Sequence, residues 1–101
     1  MFCNCSKLYH ISSPDYSELN LNSLIDGSDM FYECSQLTSF DADLSSLIDG
    51  SNMFSNCTQL KSIYSDLSSL SNGERMFYYC NALTTVPSDL HNLKNGNGMF
   101  I

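Results

Sequence analysis

The chain has 101 residues, 43% of them apolar, which is enough for one domain with a hydrophobic core. Eleven acidic residues oppose four basic ones and give a formal charge of −7, so the chain lacks the basic surface that nucleic acids and anionic membranes attract. The apolar residues come in runs too short to span a bilayer, and no basic segment followed by a long apolar stretch indicates a secretory signal.

A five-residue pattern recurs along the chain: Met, Phe, two variable residues and Cys. Copies begin at Met1, Met30, Met53 and Met76, and Met99-Phe100 starts another. The first interval is 29 residues and the other three are 23 residues each. A fixed period of this length predicts a repeat solenoid, in which one short unit is stacked repeatedly. The predicted units of this single domain, residues 1–101, are 1–29, 30–52, 53–75 and 76–98, with the start of a fifth at 99–101.

The elements of each unit follow the same order. The Met-Phe-x-x-Cys-x-x-Leu segment spaces its apolar residues at i, i+1, i+4 and i+7, which predicts a single α or 3₁₀ turn that faces inward. The segment from Leu37 to Phe40 and its copies are the most strand-like. Two leucines follow, Leu44 and Leu47 in the second unit, in a short second strand or an extended turn. Asp-Gly or Asn-Gly then closes the unit with a predicted tight turn.

The first unit carries an insertion. Nine residues, 12–20, separate Ile11 from Leu21, whereas three residues fill this place in the other units. The insertion must bulge from the coil, and it contains a Pro14-Asp15 turn signal followed by Tyr16.

Apolar residues at the same phase are expected to stack from one unit to the next. The prediction is near-complete burial in the middle units of Leu37, Phe40, Leu44, Leu47, Phe54 and Cys57. Four cysteines share one phase of the repeat: Cys5, Cys34, Cys57 and Cys80. Because Cys packs as a small hydrophobe, a buried ladder of free thiols is favoured, while disulfides between adjacent units stay open as the alternative.

Two metal sites and a catalytic site were weighed. Cys3, Cys5 and His10 fall short of the four ligands that a closed zinc site needs. Asp43, Asp66 and Asp89 form an in-phase acidic column, for which capping of the next backbone turn is favoured over a weak calcium ladder. His91 lies close to Asp89, but no nucleophile motif accompanies it. We therefore predict no cofactor, no metal and no enzymatic activity.

These columns resemble the 23-residue BspA-like, or Treponema-type, class of leucine-rich repeat. Its Cys, Leu and aliphatic positions correspond to Cys34-x-x-Leu37-x-x-Phe40, Leu44, Leu47, Gly50 and Met53-Phe54-x-x-Cys57. Met stands where the class has a small residue before Phe, and the Pro common after the first strand occurs only as Pro87. The resemblance implies a right-handed coil with one short β-strand per rung in a parallel sheet. It also implies a non-enzymatic adhesion-type protein of the cell surface or a secreted one.

Neither end of the chain carries the polar cap that solenoids normally have. We therefore expect a fragment of a longer array, and self-association through the uncapped ends.

Residues that flank the inward Phe40 column should lie on the outer surface of the strands, because strand side chains alternate. The candidate partner-binding residues, from this face and the insertion, are Tyr9, His10, Tyr16, Asp41, Lys61 and Tyr64. The hypothesis is a module that presents a β-lined surface to a protein or glycan. The alternative function is a purely structural spacer without a partner, and the alternative face carries Tyr32, Tyr78 and Tyr79.

Overall fold

The structure is a computed structural model that describes residues 10–11 as backbone, and residues 21–85 and 89–100 in full. Its strands are β1 (His10–Ile11), β2 (Ser39–Phe40) and β3 (Ser62–Ile63). They form one sheet in the order β1-β2-β3, and both pairs are parallel. Thr85 extends the sheet through a parallel bridge to Ser62. Each strand lies in the segment that the sequence marks as strand-like, and we call each stacked unit a rung.

The strands pair in register with the repeat. Ser39 lies opposite Ser62 and Phe40 opposite Ile63, so partners are one period apart. In the insertion-bearing unit, Ile11 still lies opposite Phe40. Residues 12–20 lie outside the described residues, as do Tyr9, Tyr16, Cys3 and Cys5.

A second ladder runs along the Asp or Asn that precedes each glycine. Asp26, Asp49, Asn72 and Asn95 form consecutive parallel bridges. Each of their side chains also accepts a hydrogen bond from the N–H two residues on, as in the 3.0 Å bond from Ser51 N to Asp49 Oδ1. This local bond holds the turn that leads into the Met-Phe segment.

The third ladder connects residues 27–34, 50–57 and 73–80, which we call the turn side. Every second N–H from 27 to 33 donates to a carbonyl oxygen of the next rung, for example Phe31 N to Met53 O at 2.9 Å. The N–H groups between them donate three residues back, as Met30 N does to Gly27 O at 3.1 Å. Turn hydrogen bonds and contacts between rungs thus alternate along one segment.

This alternation differs from the predicted α or 3₁₀ turn, and the described residues contain no helix. Two positions per rung take a left-handed backbone conformation, with φ between 53° and 63°: Asp29, Asn52 and Arg75, then Glu33, Asn56 and Tyr79. A helix cannot continue through such residues. Its i, i+1, i+4 and i+7 apolar spacing is nevertheless kept, because the turned segment still points those side chains inward.

The core is a continuous column of in-phase apolar side chains. All six predicted core residues are 0% exposed, so that prediction is confirmed for Leu37, Phe40, Leu44, Leu47, Phe54 and Cys57. Other buried members are Met30, Phe31, Cys34, Met53, Leu60, Ile63, Leu67, Leu70, Met76 and Phe77.

A phenylalanine ladder runs through the centre of this core. Phe54 stacks on Phe31 at a centroid distance of 5.6 Å and on Phe77 at 5.5 Å, with interplanar angles of 6° and 0°. Phe40 meets Phe31 and Phe54 edge-on at 5.2 and 4.9 Å. Such pairs each add about 0.5–1.5 kcal/mol beyond the burial of their area.

The in-phase thiols lie beside this ladder. Cys34, Cys57 and Cys80 are free cysteines. Cys57 Sγ donates to Phe31 O at 3.2 Å, and Cys80 Sγ donates to Phe54 O at 3.0 Å. Burial raises the pKa of Cys57, and it raises the pKa of Cys80 to about 12. These thiols therefore serve the core as small apolar groups with one weak donor.

Each glycine that closes a rung makes room for a methionine of the next rung. A Cβ on Gly50 would lie 3.0 Å from Met76 Sδ, and one on Gly73 would lie 3.1 Å from Met99 Cε. The Gly and Met columns are thus a matched pair, which explains why both recur at fixed spacing.

Candidate binding surface

The outer face of the sheet, residues 38–41, 61–64 and 84–85, is called the strand side. Its backbone is held by bonds between rungs, such as Lys61 N to Thr38 O at 2.9 Å and Tyr64 N to Phe40 O at 3.0 Å. The buried Phe40 and Ile63 anchor the strands from within. The neighbouring side chains consequently project from a fixed support.

Three of the six predicted binding residues lie together on the strand side. Asp41 and Lys61 are exposed, and the Tyr64 ring is 67% exposed. Asp41 and Tyr64 share one phase of the repeat on adjacent rungs. The backbone of His10 pairs with Ser39 in the same sheet. The side chain of His10 and the predicted residues Tyr9 and Tyr16 lie outside the described residues.

Hydroxyl groups surround these residues. Thr38, Ser39 and Ser62 are half-buried, and Thr84 and Thr85 are exposed. Thr84 Oγ1 donates to Lys61 O at 3.2 Å. The strand side therefore offers one exposed aromatic ring, one acid, one cation and a row of hydroxyls, a set suited to reversible recognition.

The turn side presents the other exposed aromatic residues. Tyr78 and Tyr79 pack on each other at a centroid distance of 4.3 Å, and the Arg75 guanidinium lies 5.8 Å from the Tyr78 ring centroid. The Tyr78 hydroxyl raises the pKa of Tyr79 through a hydrogen bond. Tyr79 is 47% exposed, less than Tyr64. These rings already have partners within the chain, whereas Tyr64 projects outward.

The acidic column caps turns as predicted. Asp43 Oδ1 accepts a hydrogen bond from Ser45 N at 2.9 Å, and Asp66 Oδ1 accepts one from Ser68 N at 2.8 Å. The Ser45 hydroxyl and N–H lower the pKa of Asp43, and the Ser68 N–H and hydroxyl lower that of Asp66. Asp89 pairs instead with the His91 ring. In the part of the chain that is described, no three His, Cys, Asp or Glu side chains are grouped to hold a metal ion.

Sequence reasoning missed a shallow depression of about 370 Å³ lined by Ile48, Ser69, Ser71, Asn92 and Lys94. Beside it, Ile25 and Ile48 are 56% and 42% exposed. The in-phase column changes from Ile25 and Ile48 to Ser71 and Lys94, and this change of polarity was the available signal.

Rungs joined by parallel ladders around one stacked core define a repeat protein. The chain belongs to the BspA-type leucine-rich repeat family, whose family model matches residues 1–100 in six copies. Comparison with curated proteins and with solved structures found no significant match. The family indicates a protein-interaction module of solenoid type, and it is generally non-enzymatic. Among the described residues, no helix has the length and apolarity needed to cross a membrane.

Proposed function

We propose that this chain is a binding module whose strand side, together with the insertion 12–20, holds a protein or glycan partner. In this proposal the rungs form a right-handed coil, and the module belongs to an adhesion-type protein that is secreted or displayed on the cell surface. The surface location rests on the family resemblance alone.

The exposed Tyr64 ring is the observation that supports this proposal. A large aromatic side chain that packs on nothing costs little to bury against a partner, and tyrosine is enriched in interfaces. Asp41 and Lys61 lie on the same fixed sheet and supply polar contacts. The insertion adds Tyr16 and is free of the stacking constraint on the rungs.

The test begins with the purified chain on a glycan array and on an array of secreted proteins. For a ligand found there, Tyr64→Ala or Tyr16→Ala should weaken binding about tenfold or more, as for a central aromatic contact. The melting temperature should stay nearly unchanged, because Tyr64 is exposed.

Tyr79→Ala is the matched control, since it removes the same side chain from the turn side. Loss of binding in Tyr79→Ala but not in Tyr64→Ala would place the site on the turn side. If no ligand is found, the purely structural spacer becomes the better description of these rungs. Surface biotinylation of cells that express the gene tests the location separately.

A further inference from the structure

The last fully described rung, residues 76–100, presents a face that matches the inter-rung contact found throughout the molecule. That contact has three parts: a row of backbone N–H donors, the phenylalanine ladder, and the glycine that receives a methionine. On the face after residue 100, each part is present without its counterpart from a following rung.

The backbone donors come first. Gly27, Gly50 and Gly73 each donate to a carbonyl oxygen of the following rung at 2.8 Å. The corresponding N–H groups of the last rung belong to Gly96, Gly98 and Phe100. No carbonyl of the described residues accepts from them. They form a row of donors directed away from the stack.

The side chains repeat this finding. Phe31, Phe54 and Phe77 are buried between neighbouring rings, but Phe100 stacks only on Phe77, at 5.6 Å, and is 54% exposed. A Cβ on Gly96 would meet only Leu93, with no methionine beside it, unlike those on Gly50 and Gly73.

The sheet has matching edges at its two ends. Within the described residues, β1 pairs only with β2, and Thr85 bridges only to Ser62. Unpaired strand edges are templates for another strand. The first unit also begins with Met1-Phe2, the residue pair that each glycine and each phenylalanine ring receives from the rung that follows.

We propose that copies of this chain associate head to tail, with the first rung of one copy packed on the face of rung 76–100 of another. The contact continues the parallel sheet from Thr85 of one copy to β1 of the next, and it covers Phe100 and Gly96. Because the two surfaces differ, the association does not close at two copies but grows into longer chains. A charge of −7 per copy opposes it, so added salt strengthens it.

Sedimentation velocity over a concentration series tests this proposal. The mass of the wild-type chain should rise with concentration beyond that of a dimer, and more steeply at higher salt. Phe100→Asp should weaken association at least about tenfold, since it places a charge where an aromatic ring would be buried. Ile25→Asp is the control: it removes an exposed apolar residue from the side of the stack and should leave association unchanged. Circular dichroism checks that both variants fold.

A mixing experiment fixes the polarity of the contact and needs no folded variant beyond Phe100→Asp. A folded domain fused to the N-terminus blocks the first rung, whereas Phe100→Asp blocks the last. Each blocked chain alone should be monomeric, and the mixture should form one-to-one complexes. A wild-type chain that stays monomeric at every concentration overturns the proposal. So does dimer formation by either blocked chain alone, because that would indicate a symmetric contact. Should Phe100→Asp not fold, the fused chain must still be monomeric and must shorten wild-type assemblies.

Discussion

The turn side and the strand side belong to the same rungs, yet their side chains have different tasks. On the turn side, the Met, Phe and Cys of the repeat are buried, as Met53, Phe54 and Cys57 show. On the strand side, one residue per rung points inward, such as Ile63, while its neighbour Tyr64 is exposed. Both sides share the same kind of backbone ladder, so order does not distinguish them. Stacking constrains the residue types of the turn side, and the strand side can vary with the partner.

The largest effect is expected from the phenylalanine ladder of the turn side. Phe54→Ala should lower the free energy of unfolding by about 3–5 kcal/mol, because it leaves a cavity between three aromatic rings. Urea unfolding measures the loss. Phe100→Ala is the matched control, and its loss should be clearly smaller, since that ring is half-exposed. Equal losses would mean that the ladder is not the centre of stability.

The thiols of the turn side should be almost unreactive in the folded chain. A pKa of about 12 for Cys80 leaves roughly a thousandfold less thiolate near pH 8 than an ordinary cysteine has. Reaction with a disulfide reagent, followed with and without guanidinium, should show slow modification of Cys57 and Cys80 until the chain unfolds. The unfolded, unreduced chain should titrate all five cysteines as free thiols. Two or fewer would mean that adjacent rungs are bridged.

The left-handed positions of the turn side should accept improvement. Glu33 has φ 58° and donates its N–H to Ser55 O, as Asn56 does to Tyr78 O one rung on. Glu33→Asn should raise the free energy of unfolding by about 0.5–1 kcal/mol, because Asn tolerates this conformation better than Glu. Glu74→Asn makes the same change of charge at a residue without a positive φ. Equal stabilisation by both variants would point to relief of charge repulsion rather than to backbone conformation.

The smallest effect is expected from the aspartates that cap turns next to the strand side. The pKa values of Asp43 and Asp66 are lowered in the folded chain, so their contribution is present above about pH 4 and is lost as the pH falls through the lowered values. Replacing both by Asn should flatten the fall in the urea midpoint on acidification. Asp41→Asn removes an acid from the strand side that makes no such turn among the described residues, and it should leave this fall unchanged.

The period and the in-phase apolar residues were sufficient to predict the strands and the core. Leu37 and Phe40 recur at a fixed spacing, and in a stacked repeat such residues can only meet their own copies. The same reasoning assigned Asp43 and Asp66 to turn capping, which depends on a bond within two residues. The turn side was predicted less well, since its apolar spacing fits a helical turn and a left-handed turn equally.

The binding surface was predictable only as a set of outward positions. Alternation along a strand placed Asp41, Lys61 and Tyr64 on one face. The packing of Tyr78 on Tyr79 and of Arg75 on Tyr78 has no signature in the spacing of single residues, because these contacts depend on how side chains lean once the backbone is folded.

By itself, the amino-acid sequence determined the repeat period, the columns that form the core, and membership of the leucine-rich repeat family. The tertiary structure decided which carbonyl oxygen each N–H of the turn side uses, and therefore that Asp29 and Glu33 turn left-handed instead of continuing a helix. It also decided that the glycine of one rung receives the methionine of the next. These contacts join residues more than twenty positions apart, and such non-local bonds leave no mark on the local pattern that sequence reasoning reads.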